Sequence, residues 1–138
     1  FATTCDAYVI LGNLPESEDD FLTSDGRARN KKNALARLAR AVCADSTMFT
    51  EQDALQSAEI VRDAQLRLLE NAILHVLKRM EVLPRIIILC GHGEFLARDL
   101  IDRLNFDTKV ISLSEKLGAD VSRCACAHAL AVLSQEGA

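Results

Sequence analysis

The residues best suited to chemistry lie in the run Ile87-Ile-Leu-Cys-Gly91-His-Gly93-Glu-Phe-Leu96, where an apolar stretch passes through two glycines into a helical pattern. Such a turn presents backbone amides with no Cβ in front of them, and the positive end of the following helix favours an anion. Gly91, His92, Gly93 and Glu94 are therefore candidate phosphate or nucleotide contacts, the plain alternative being a tight strand-to-helix turn. A dinucleotide fingerprint would need a third glycine where Leu96 stands, and no Lys-Ser/Thr pair follows as in a P-loop.

Three further groups could act. In Thr23-Ser-Asp-Gly-Arg27, Asp25 could accept from a substrate hydroxyl or amine and Arg27 could clamp a carboxylate or phosphate, although the same residues make a type I turn. Thr3, Thr4, Asp6 and Tyr8 place hydroxyls and a carboxylate ahead of an apolar segment, which is also how a helix is capped. Cys124 and His128 are four residues apart on a helix and could share an ion, with Cys126 pointing away. A closed zinc site needs four ligands and no second Cys/His cluster exists, so buried thiols are the better reading. His75 is expected half-buried in a long helix, whereas His92 is placed to meet a ligand.

These residues must be positioned by a small set of elements. Residues 1–12 suit a short helix stopped by Gly12, and the acidic, turn-rich residues 13–27 read as a surface loop. Residues 30–44 carry Leu35, Leu38, Ala39 and Val42 at helical spacing, with Lys31, Lys32, Arg37 and Arg40 on the remaining face. Thr50 and Asp53 form a variant capping box for a long helix reaching residue 80 or 82, apolar enough to be buried on more than one side. After Pro84 the run 85–90 reads as a strand covered on both faces, followed by a helix over 94–104, a strand over 109–113 and an alanine-rich helix over 118–133. Strand, turn, helix and strand make a βαβ unit with parallel strands.

Composition narrows the function classes. The chain of 138 residues is long enough for one domain. With six aromatic residues and no Trp, its core must come from Leu, Ile, Val and Ala. A net charge of −4 with no basic block argues against nucleic acid, and no apolar run approaches the roughly 20 residues that span a bilayer. Five cysteines without paired spacing suggest reduced thiols and a cytoplasmic location. Opening on Phe1 with no Met, the text reads as part of a longer protein.

In this order the stretches Phe1-Ala-Thr-Thr-Cys-Asp-Ala-Tyr8, Thr23-Ser-Asp-Gly-Arg27 with Ala36-Arg-Leu-Ala-Arg40, Gly91-His-Gly-Glu-Phe-Leu96 and Gly118-Ala-Asp-Val-Ser-Arg-Cys-Ala125 resemble a known family. It is the tetrahydromethanopterin-linked one-carbon transfer proteins related to the hydantoinase/oxoprolinase group, in their C-terminal part. Cys5 stands where Ala is more usual and Cys126 where Pro is. The resemblance implies the actin-like, sugar-kinase-like ATPase fold, in which two RNase H-like domains face a phosphate-binding cleft. It therefore implies a helix-rich α/β, partial RNase H-like domain over residues 1–138, made of a loop over 13–27, a helical part over 30–82 and a βαβα part over 85–135.

The implied activity is that of a transferase joining the phenol oxygen of γ-glutamyltyramine to an aminomethylfuran carbon with loss of diphosphate, in methanofuran biosynthesis. Carried over residue by residue, Gly91, His92, Gly93 and Glu94 match the phosphate-contacting turn and Gly118 the start of the closing helix. Thr4, Asp6, Asp25 and Arg27 match polar, substrate-facing segments. Magnesium or another divalent ion, a phosphorylated small molecule and the missing N-terminal half are the implied cofactor and partners, with a homodimer open, and the segment alone would be inactive. An ATP-binding kinase or hydantoinase-like enzyme of the same fold, or a non-catalytic helical interaction domain centred on Ile60, Leu66 and Leu69, are the alternatives.

Overall fold

The computed structural model describes residues 1–45, 47–106 and 108–136. Where the sequence suggested one block, the chain forms two compact units, Phe1–Leu68 and Leu69–Ala138.

In the first unit, helix α1 (Thr4–Ile10) begins where the Asp6 carboxylate accepts the Thr3 amide at 2.8 Å, and it ends ahead of Gly12 at φ +77°. A loop follows, pinned by an antiparallel bridge between Ser17 and Arg29. Helix α2 (Lys31–Ala41) is capped by Asn30, whose side chain accepts the Asn33 amide at 2.9 Å. Its inner face differs from the periodicity reading. Val42 is exposed, and Arg37, assigned to the solvent face, is fully buried because two carboxylates converge on it. The core gathers Leu38, Ala39, Phe49 and Ala54, with Ala2, Ile10, Leu35 and Ala44 against them.

Helix α3 (Glu51–Leu77) starts at the expected box: the Thr50 amide donates to Asp53 at 2.8 Å and the Asp53 amide to the Thr50 hydroxyl at 3.2 Å. Burial on more than one side is not seen. Only Ala54, Ala58 and Leu66 are buried, while Ile60, Leu68 and Val76 are exposed, as is His75. A surface patch centred on Ile60, Leu66 and Leu69 is likewise not formed, because Leu66 is 1% exposed. Apolar residues on all sides of a helix need partners on all sides, and each unit offers them on one.

In the second unit, β1 (Ile86–Leu89) and β2 (Lys109–Ser112) pair in parallel, from Ile86 opposite Lys109 to Leu89 opposite Ser112. Helix α4 (Glu94–Leu104) joins them and buries Leu96, Leu100 and Ile101, ending at Asn105 in the left-handed region. The strand is not covered on both faces as its apolar run suggested: Ile86 and Ile88 are 51% and 59% exposed, since two strands and one helix cover one face only. A short helix α5 (Leu113–Leu117) precedes the expected closing helix over 118–133, which is itself two, α6 (Ala119–Arg123) and α7 (Ala125–Glu136). Gly118 at φ +88° separates α5 from α6. At Cys124 the chain tightens, its amide reaching Val121 O at 3.1 Å, before α7 begins. No residue of α7 is buried, and Cys124 and Cys126 are exposed, against the expectation of buried thiols.

Among the described residues no helix is long and apolar enough to cross a membrane.

Candidate functional site

Two polar constellations emerge, one in each unit. In the first, Arg37 is enclosed by acids. Its Nε donates to Asp6 Oδ1 at 2.7 Å and its Nη1 to Asp25 Oδ1 at 2.9 Å, while Nη2 lies 2.7 Å from Asp6 Oδ1 without hydrogen-bond alignment. Arg40 Nη2 donates to Asp25 Oδ2 at 2.6 Å. Burial alone would raise the Asp25 pKa, but Arg37, the Arg27 amide and Arg40 hold it below its ordinary value. Burial likewise works against the Arg37 charge, and Asp6 and Asp25 more than restore it.

The structure thus brings Asp6 and Asp25 together, but around an arginine and not around an open acceptor site. Arg27 contributes its amide to Asp25 at 3.3 Å and its carbonyl to the Thr23 hydroxyl at 2.6 Å, and its side chain is exposed. Thr4 is exposed at the first turn of α1 and does not join the cluster.

The second constellation gathers at the carboxyl ends of the parallel strands, where open α/β sheets bind ligands. Gly91 has φ +90°, a conformation a side chain would resist, so the chain can turn sharply from β1. His92 and Gly93 are exposed, and the amides of His92, Gly93 and Glu94 donate to no group among the described residues. Gly93 caps α4 without a side chain to satisfy them.

The Glu94 carboxylate is turned inward. It is buried under four donors: the hydroxyls of Ser112, Ser114 (2.8 Å) and Ser122, and the Ser114 amide (3.0 Å). Burial pushes its pKa up, yet the hydroxyls of Ser112, Ser122 and Ser114 and the Ser114 amide outweigh that and hold it at about 2, against an ordinary 4.5. What Glu94 leaves for a ligand is its amide. Gly118 contributes indirectly, its carbonyl accepting the Ser122 amide at 3.1 Å.

Sequence reading missed Arg37, Ser112, Ser114 and Ser122. For Ser112 a signal existed: Ser112-Leu-Ser-Glu115 has capping-box spacing, and the Ser112 hydroxyl does accept the Glu115 amide at 3.1 Å. Cys124, Cys126 and His128 are all exposed, and no three His, Cys, Asp or Glu side chains converge as a metal site among the described residues.

Comparison with known proteins places these features. The family model described as Hydantoinase/oxoprolinase matches residues 1–136. A protein of Methanocaldococcus jannaschii named (4-{4-[2-(gamma-L-glutamylamino)ethyl]phenoxymethyl}furan-2-yl)methanamine synthase is 29% identical over 136 residues, covering 99% of this chain and 39% of the relative. A protein of the same name from Methanococcus vannielii is 25% identical over 137 residues, covering 96% of this chain and 60% of the relative. The chain therefore spans less than two thirds of either relative's length. With the match running from Phe1 to Glu136 through both constellations, the chain belongs to the hydantoinase/oxoprolinase family.

Proposed function

We propose that the chain is part of a transferase that forms the aryl ether of a methanofuran precursor. The phenol oxygen of γ-glutamyltyramine attacks the methylene carbon of an aminomethylfuran diphosphate, the carbon–oxygen bond to diphosphate breaks, and the phenol proton leaves to a base. The observation that carries this reading is the 29% identity sustained over 99% of the chain with a synthase whose name describes that ether.

The geometry supports a part for this segment. The uncapped amides of His92, Gly93 and Glu94, at the N-terminus of α4, can donate to the leaving diphosphate, with Gly91 shaping the turn and Gly118 starting the helix that backs it. The Glu94 charge is held within a serine cage, so the turn would act through directed hydrogen bonds more than through net positive charge. In this reading the two units are portions of RNase H-like domains of an actin-like fold, and Thr4 and Arg27 keep exposed polar groups for substrate. Asp6 and Asp25 act through Arg37, fixing the segments that carry Thr4 and Arg27. No cluster of acids among the described residues makes a magnesium site, so in this reading acids binding such an ion belong to the stretch of the relatives that this chain does not span.

Exchange of segments tests the proposal. Replacing the matching stretch of the Methanocaldococcus jannaschii synthase by this chain is expected to give a folded chimera that still forms the ether and releases diphosphate, read by mass spectrometry. A folded chimera that makes no ether, or that instead consumes ATP, would overturn it.

A further inference from the structure

Ser122 stands between a buried carboxylate and the glycine turn. Its hydroxyl donates to Glu94 Oε1 and accepts the Gly91 amide at 2.9 Å, and the residue is 1% exposed. A serine hydroxyl has one hydrogen. With that hydrogen committed to an ionised carboxylate, the oxygen's lone pairs are turned towards Gly91, so Glu94 sets the polarity of the contact it does not itself make.

The remaining Glu94 contacts fix the carboxylate in place. Ser112 ends β2, Ser114 lies in α5 and Ser122 in α6, so one side chain at the start of α4 joins β2, α5 and α6. The φ of +88° at Gly118 lets α6 start afresh and deliver Ser122 to this point.

We propose that Glu94 and Ser122 are positioning residues: through the Gly91 amide they fix the near end of the turn, so that the free amides of His92 and Gly93 are held at one aim. Ligand affinity at those amides rests on the reading of the turn as a diphosphate contact, whereas the bracket itself can be tested without ligand.

Backbone amide hydrogen exchange in the unmodified chain reads the bracket first. The Gly91 amide is expected to exchange at least about tenfold more slowly than those of His92 and Gly93, as one buried hydrogen bond provides. Equal exchange at all three would overturn the proposal without any variant. Ser122→Ala is then expected to bring Gly91 to the rate of its neighbours. Ser114→Ala, which takes a different hydroxyl from the same carboxylate, should lower stability similarly yet leave Gly91 slow. If both variants speed Gly91 alike, Ser122 is a packing residue only and the proposal fails.

Titration with magnesium diphosphate adds the functional readout. Ser122→Ala is expected to weaken binding about tenfold relative to Ser114→Ala, and equal affinity would remove the positioning role. Absence of binding to the unmodified chain would instead count against the diphosphate reading, with the exchange pattern still deciding the bracket.

Discussion

Replacing Arg37 by alanine is expected to remove a large part of the stability of the Phe1–Leu68 unit and to shift its urea midpoint well down. The guanidinium is fully buried and Asp6 is 2% exposed, so the substitution leaves a carboxylate in the core with its counter-ion removed. Breaking one side of a buried ion pair costs about 3–5 kcal/mol, a large part of the roughly 5–15 kcal/mol that stabilises a domain. Asp25 keeps Arg40 at 2.6 Å and is less affected, so the loss is concentrated on Asp6. The chain has one tyrosine and no Trp, and the Tyr8 hydroxyl donates to Gln65 at 2.8 Å within this unit. Tyr8 emission during urea unfolding therefore reports the unit directly. A loss below about 1 kcal/mol, the range of exposed pairs, would show that the Asp6–Arg37 contact is not buried in solution.

The second large effect is expected at Glu94. Changing it to glutamine keeps the shape but removes the charge; with its oxygen kept on the Ser114 amide and the Ser122 hydroxyl, its NH2 group replaces the oxygen that accepts from the Ser112 and Ser114 hydroxyls. Two hydroxyls must turn and the charge-assisted bonds are lost, so a loss of about 2–3 kcal/mol is expected, the scale for hydrogen bonds to a charged group. Acid should mimic the substitution. The folded value of about 2 lies below the ordinary 4.5, so the carboxylate contributes stability that is fully present above about pH 4.5 and is lost as the pH falls towards 2. Urea midpoints followed through the amide signals of α4 should decline across that window in the unmodified chain, and the Glu94→Gln variant should lack this component. Parallel declines in both would show that the carboxylate is not specially stabilised.

Both effects come from residues whose importance the sequence shows poorly. The elements themselves were legible where a local rule governs: the Thr50–Asp53 box, the helix over 94–104 between a glycine and a left-handed asparagine, and the parallel βαβ order. Burial was not legible, because it depends on what else is present. The apolar run at 86–89 and the apolar girth of α3 look like the interior of a larger assembly of elements, and within the described units Ile88 and Ile60 are exposed. Arg37 shows the reverse error. Helical spacing put it with Lys31 and Arg40 on the wet face, and only the approach of Asp6 and Asp25 from other segments makes its burial affordable. The glycine turn was visible as a turn, whereas the serines that brace it come from three later segments that no spacing rule links to Glu94.

The same distribution bears on function. In the proposed reading the groups that face the ligand are backbone amides, which the sequence marks only through glycines. Groups that hold that face are a carboxylate and hydroxyls turned inward. A phosphate contact of this type depends on directed donors and not on a basic side chain, consistent with the lack of any basic block along the chain.

Nitrogen-15 amide shifts of the chain during titration with magnesium diphosphate address the central claim directly. The expected result is a saturable shift at His92, Gly93 and Glu94, with smaller changes at Gly91 and Ser122 and none along α7. No shift at millimolar ligand, or shifts confined to the exposed lysines Lys31 and Lys32, would contradict the assignment of the Gly91–Gly93 turn as a phosphate-facing wall.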